Sequence, residues 1–217
     1  MNDGLLTLLA TIVGLLIGAL LTLLTGRYQR THELRLKLKE KLLDRRIDAH
    51  EKILKLSSSM ILVNPVMAEV EPGRIEPAID EEGELMRYPK ILQNREEFGK
   101  FGNNWTATMF SIADWLSNDL VRELYLFQDY SVNLGQILQT VEDKNIPIIG
   151  CIIRQDFIDF STRIRRLAYK YFYSDLEKLR LEDNLAWHKY KPEETMKRLN
   201  ETLFFKKSSQ LSKFIKS

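Results

Sequence analysis

Between Leu5 and Thr25 the chain reads LLTLLATIVGLLIGALLTLLT, without one charged residue. As a helix rising about 1.5 Å per residue, the run measures about 31 Å, close to the thickness of a bilayer's hydrocarbon core. Few folds accept such a run. A helix with leucine on every side has no polar face to turn to water, and a core helix is usually shorter. An in-plane amphipathic helix needs a polar face, and only threonines are present. A cleaved leader wants a basic start and a small-x-small cleavage site, whereas the chain opens Met-Asn-Asp-Gly and leaves the run as Gly26-Arg27-Tyr28-Gln29-Arg30. Residues 1–26 are therefore expected to form a single transmembrane anchor.

Flanking charge sets the expected orientation. Only Asp3 precedes the run, while Arg27, Arg30, Arg35, Lys37, Lys39, Lys41, Arg45 and Arg46 follow it. Basic residues stay on the cytoplasmic side, so the N-terminus is expected outside and the bulk of the chain inside. This is the pattern of a single-pass protein of a bacterial inner (plasma) membrane, with Tyr28 at the interface.

Ala10, Gly14, Gly18, Thr22 and Gly26 recur every fourth position and share one helix face. Gly14-Leu-Leu-Ile-Gly18 is a GxxxG, and small residues allow two helix backbones to approach closely in lipid. This face predicts self-association, or docking on the transmembrane helix of another membrane protein.

The remaining length suits one domain. An apolar content of 44% supports a buried core, and a formal net charge of +2 does not favour a nucleic-acid binder. Cys151 is the only cysteine, so no disulfide can form within the chain, which fits a reducing compartment. Asn104-Trp105-Thr106 and Asn200-Glu201-Thr202 match the glycosylation triplet, but would be inert on the cytosolic side.

The fold is expected to be all-α: the anchor followed by a cytosolic helical bundle. Residues 27–63 read as one long juxtamembrane helix, rich in Leu, Lys, Glu and Arg and free of Pro. Its apolar rows, Leu36/Leu43/His50 and Ile47/Leu54/Ile61, are interrupted by Glu40 and Ser57. This favours a helix that completes the bundle over a free stalk. Residues 64–89 carry Pro65, Pro72, Pro77, Gly73 and a run of acids, and are expected to be a loop. Residues 90–217 supply the rest of the bundle. A short helix is expected over 91–98, ending near Gly99 and Gly102, then one over 105–116 capped by Asn104. The next is capped by Ser117 or Asn118 and buries Leu120, Leu124, Phe127, Leu134, Leu138 and Val141. Another starts at Ile146, with Pro147 in its first turn, and buries Ile153, Phe157, Phe160, Ile164, Leu167 and Tyr171. Ser174-Asp-Leu-Glu177 reads as a capping box, and Pro192 opens a last helix.

Chemistry-bearing patterns are sparse. His32, His50 and His188 have no Cys or second His at ligand spacing, so neither a metal nor another cofactor is expected. There is no phosphate-binding glycine loop and no nucleophile elbow. Asp156, Asp159 and Asp175, and the group Arg163, Arg165 and Arg166, read as solvated helix faces.

Arg45-Arg-Ile-Asp-Ala-His50 and Arg27-Tyr-Gln-Arg-Thr-His32 both fit Arg-x-x-x-x-His. The pattern resembles the signature of HEPN-family ribonucleases, small helical bundles in which Arg and His act on RNA across a dimer. That resemblance implies a membrane-tethered ribonuclease with His50 moving the proton and Arg45 meeting the phosphoryl charge. The competing reading places His50 among the bundle's inward residues.

From Thr202 the chain reads TLFFKKSSQLSKFIKS, with Lys206, Lys207, Lys213 and Lys216 between apolar residues. Such a basic amphipathic stretch fits contact with an anionic leaflet; a last bundle helix is the alternative. The leading expectation for function is a non-enzymatic interaction or assembly module whose partners are the lipid bilayer and a second copy or another membrane protein, not nucleic acid. A membrane-damaging effector of a defence or toxin system is the remaining alternative, supported by the small-residue face.

Overall fold

Seven α-helices and four short strands make up the described chain: α1 (Asp3–Met60), β1 (Val63–Pro65), β2 (Met67–Glu71), β3 (Arg74–Pro77), β4 (Arg87–Pro89), α2 (Arg95–Ile112), α3 (Asn118–Thr140), α4 (Ile146–Ser174), α5 (Pro192–Asn200), α6 (Leu203–Lys206) and α7 (Ser208–Leu211). This computed structural model describes residues 3–174 and 189–214, with side chains over 14–170 and 189–214. The fold is mostly helical, as the apolar periodicity predicts. The chain divides into two units, Met1–Arg45 and Arg46–Ser217.

The first unit is helical from Asp3 onward. The described leucines and isoleucine of the run find no burial: Leu15, Leu16, Ile17, Leu20, Leu21, Leu23 and Leu24 are each 53–70% exposed. Its polar side chains are satisfied locally. The Thr22 hydroxyl donates to the Gly18 carbonyl at 2.8 Å, and that of Thr25 to the Leu21 carbonyl at 2.8 Å. Among the described residues no helix is long and apolar enough to cross a membrane. Of the run 5–25, only the part from Gly14 has described side chains. The expected anchor therefore rests on the sequence.

The second unit holds the core. Its part of α1 buries Ala49, His50, Ile53, Leu56, Ser57 and Met60, a stripe of helical spacing. This stripe differs from the expected rows: Leu54 is partly buried and Ile61 exposed, while Ser57 lies inside. Ser57 tolerates burial because its hydroxyl donates to the Leu54 carbonyl at 2.9 Å and its own carbonyl accepts from Ser161 at 2.8 Å.

The segment 64–89, expected as a loop, is instead paired backbone. β1 and β4 are antiparallel, with Val63 opposite Pro89 and Pro65 opposite Arg87. β2 and β3 form a second hairpin, closed by Pro72-Gly73 between paired Glu71 and Arg74. Gly73 takes φ +84°, the left-handed conformation that a Pro-Gly turn needs after its proline. At the next turn the Asp80 carboxylate accepts the Glu82 and Glu84 N–H groups, with Gly83 at φ +83°. Acidity and prolines suggest a loop, yet Pro65, Pro77 and Pro89 lie at strand ends on narrow ribbons, where a missing N–H costs little.

In place of the helices expected over 91–98 and 105–116, Arg95–Ile112 is one continuous α2, flanked by 3₁₀ turns at Lys90–Leu92 and Ala113–Trp115. Asn94, not Asn104, caps it, accepting the Glu97 N–H at 2.8 Å. Gly99 and Gly102 lie inside this helix. Ser117 caps α3 through the Leu120 N–H at 3.3 Å. At the far end of α3, Arg95 donates to the carbonyls of Leu138 and Val141, at 3.2 and 2.8 Å, satisfying acceptors that a helix end leaves open. The capping box at Ser174–Glu177 runs into positions outside the described residues.

α3 and α4 pack around Phe127. Its ring lies 4.5 Å from Trp105, 5.1 Å from Phe160, and 6.0–6.1 Å from Phe101, Tyr130 and Phe157, centroid to centroid. The pairs with Phe101, Phe157 and Phe160 are edge-to-face, a geometry that adds to the large apolar area such rings bury. α4 approaches β4 closely at Gly150, where a β-carbon would stand 2.9 Å from Tyr88 Cβ and 3.3 Å from Leu92 Cβ.

Candidate functional site

Two carboxylates organise the polar interior of the second unit. Glu123 of α3 is 1% exposed. The Arg163 Nε donates to its Oε1 at 2.5 Å, and Arg198 of α5 and the Tyr190 hydroxyl donate to its Oε2, each at 3.3 Å. Arg198 also pairs with Glu194 at 3.0 Å and stacks over the Tyr190 ring at 4.0 Å. A buried carboxylate is stable only when its lone pairs are met, and here three donors meet them.

Asp156 of α4 is equally enclosed. It accepts the Tyr130 hydroxyl at 3.1 Å and the N–H groups of Leu203 and Phe204 at 2.6 and 2.8 Å. Those two N–H groups open α6, whose own Thr202 provides no side-chain cap. Asp156 therefore does from α4 what an N-cap does locally, with its charge at the positive end of the helix. Burial pushes the Asp156 carboxyl above its ordinary range, against the pull of these hydrogen bonds. Burial and the neighbouring Asp156 hold the Tyr130 phenol well above its usual value, so it remains a donor.

Beside these groups lies a cavity of about 370 Å³ whose lining includes Asp156, Asp159, Arg163, Glu194, Lys197 and Arg198. Asp156, Arg163 and Arg198 are already engaged with protein partners, so the arrangement joins the segment 189–214 to α3 and α4. The reading of Asp156 and Arg163 as solvated surface groups is thereby corrected: one is buried, and the other pairs with a buried acid. Arg165 is half-buried, Arg166 and Asp159 are exposed, and Asp175 lies outside the described residues.

The ribonuclease pair separates. Arg45 is exposed, whereas His50 is 3% exposed, with its Nδ1 2.7 Å from the Arg46 carbonyl oxygen. Burial lowers the imidazole's affinity for a proton. A histidine so enclosed is not presented to an RNA backbone, and five residues of helix turn two side chains about 140° apart. His32 is exposed and stacks on Tyr28 at 6.4 Å.

The C-terminal pattern also divides. Phe204 and Leu211 are buried in the core, and the stretch breaks into the short helices α6 and α7. Lys206 and Lys213 are exposed, Lys207 is half-buried, and Lys216 lies outside the described residues. Of the other apolar residues of that stretch, Leu203 and Phe214 are partly buried and Ile215 lies outside the described residues. On the small-residue face, a β-carbon at Gly14, Gly18 or Gly26 would meet nothing within 4 Å. Thr22 is exposed, and the Ala10 side chain lies outside the described ones. Among the described residues no group of three or more His, Cys, Asp or Glu is placed to hold a metal ion.

Fold and site together define a mostly helical protein with an internally neutralised polar core. Compared with protein-family models, curated proteins and solved structures, the chain matches none of them.

Sequence reasoning missed Glu123, Asp156, Tyr190 and Arg198. One signal was available: Glu123 falls between Leu120 and Leu124 on the stripe that also carries Phe127, a position where an acid must be buried and paired.

Proposed function

We propose that this protein is a single-pass, membrane-anchored interaction module, with the run 5–25 in the bilayer, the second unit on the cytoplasmic side, and self-association through the small-residue face. The observation that carries the reading is the leucine surface of the first unit. Seven large apolar side chains between Leu15 and Leu24 stand exposed, a contiguous patch that water does not tolerate without cover. Lipid is the cover that fits, because the patch wraps every side of the helix but the small-residue face and the threonines within the run bond back to their own backbone. The arginines and lysines after the run favour the N-out orientation.

Self-association rests on Gly14, Gly18, Thr22 and Gly26, which leave one side of that helix bare of bulk. The non-enzymatic reading rests on the second unit, where the buried acids are occupied by internal donors. The test is the mass of the detergent-solubilised full chain. Wild type is expected to be an oligomer and Gly14→Leu/Gly18→Leu a monomer; an unchanged mass would remove the packing face from the account. Dye leakage from cells on overexpression would instead favour a membrane-damaging role for the same helices.

A further inference from the structure

α4 carries two arginines that the fold leaves without an acid. Arg154 and Arg165 are both half-buried, and neither makes an ion pair or a side-chain hydrogen bond among the described residues. Arg122, Arg163 and Arg198 are also half-buried, and each pairs with a carboxylate. On the helix, no acid stands three or four residues from Arg154 or Arg165, the spacing at which side chains meet. Both arginines line one groove of about 410 Å³, set between α4 and the segment that leads from α1 into β1. Among the described residues no carboxylate lines it.

The walls of this groove are fastened to each other. Ser161 of α4, 1% exposed, donates its hydroxyl to the Ser57 carbonyl of α1 at 2.8 Å. Arg154 and Arg165 are eleven residues apart, three turns and about 20°, so they rise from one face about 16 Å apart along the axis. Helical side chains lean toward the N-terminus, so the two lean the same way and keep most of that separation. Ile158 lies between them on the helix, and Ile61 and Val63 add apolar lining. Thr162, three residues before Arg165, brings a hydroxyl to that end.

A recess lined by one sign of charge concentrates ligands of the opposite sign. A guanidinium takes a carboxylate through two parallel hydrogen bonds. A single small anion would engage one arginine and leave the other unmet, and a ligand without apolar surface would leave Ile61, Val63 and Ile158 without a partner. The geometry points to an elongated organic dianion, two carboxylates joined by an apolar chain, with one end on Arg154 and the other on Arg165 beside Thr162. Such a site gives the second unit a small-molecule input that does not rely on the anchor.

The probes are dodecanedioate, the same chain with one end uncharged (12-hydroxydodecanoate), and succinate, whose chain is too short to span the two arginines. Each is titrated calorimetrically into the full chain in neutral detergent, with the heat into detergent alone subtracted. Dodecanedioate is expected to bind at least about ten-fold tighter than either, the worth of a hydrogen bond to a charged group. Arg154→Gln and Arg165→Gln should each bring dodecanedioate down to the level of the hydroxy acid, whereas Arg166→Gln, at an exposed neighbouring position, should change nothing. Both arginines are partly open to water, so these variants are expected to keep the wild-type melting temperature. Where one does not, the diacid against the hydroxy acid on wild type decides alone. No binding of dodecanedioate would overturn the proposal. So would equal affinity for 12-hydroxydodecanoate, or binding that survives in folded Arg154→Gln/Arg165→Gln.

Discussion

Leucine behaves in opposite ways in the two units. Between residues 15 and 24 every leucine is more than half exposed, whereas Leu120, Leu124 and Leu134 of α3 are 0% exposed. Both stretches are helical and both are rich in the same side chain. They differ in what lies between the leucines. α3 alternates its stripe with Arg122, Gln128, Asp129 and Asn133, which gives it an inside and an outside. The run 5–25 has no such alternation, so no protein surface on one side could satisfy it. A helix that is apolar all round needs a surrounding apolar medium, and a helix with a stripe needs only neighbours.

The comparison is sharpened most by truncating equivalent apolar side chains in each region. Phe127→Ala removes the ring on which five aromatic neighbours pack, and is expected to cost about 4 kcal/mol in urea unfolding of the second unit. Leu20→Ala in the run should leave that same transition within about 0.5 kcal/mol. A loss from Leu20→Ala comparable to that from Phe127→Ala would show that the leucine surface belongs to the core after all.

Next in size is the polar interior. Asp156→Ala leaves the Tyr130 hydroxyl and the Leu203 and Phe204 N–H groups without their acceptor, at an expected cost of about 3 kcal/mol. Protease sensitivity within 189–214 should rise with it. Gly150→Ala comes third. Its β-carbon would stand 2.9 Å from Tyr88 Cβ, so α4 and β4 must separate, and about 2 kcal/mol is expected. Had Gly150 been needed only for flexibility, alanine would stabilise the helix instead.

The smallest effect is a pH dependence. Burial holds the His50 imidazole below its ordinary 6.5, with the Arg46 carbonyl opposing that shift. The unfolded chain binds a proton at 6.5 that the folded chain accepts only at lower pH. Stability is therefore complete above 6.5 and is lost as pH falls from there toward the lowered value. His50→Leu should flatten the stability profile of the second unit as pH falls below 6.5. An unchanged slope would place the titration on another group.

The helical faces were legible because periodicity reports burial directly. Leu120, Leu124, Phe127, Ile153, Phe157 and Phe160 could be assigned to the core from spacing alone, and all are buried. The hairpins were not legible by the same route. Their strands are three to five residues long, too short to show a period, and their acids and prolines match loop composition. The signal present was Pro72-Gly73 with Val70 and Ile75 on either side, a turn between two β-branched positions. α2 misled for a related reason. Gly99 and Gly102 read as stops, yet a helix tolerates glycine when Asn94 and packing through Phe98, Phe101 and Trp105 fix it in place. The Glu123 and Asp156 clusters join positions far apart in the chain, and no local pattern records such pairings.

The leucine run remains the feature on which the functional reading depends, and alkaline carbonate extraction of the full chain tests it most directly. Wild type is expected in the membrane pellet, and Leu16→Arg/Leu20→Arg in the supernatant, since each arginine costs about 2.5–3.5 kcal/mol at mid-membrane. A wild-type chain recovered in the supernatant would contradict the account.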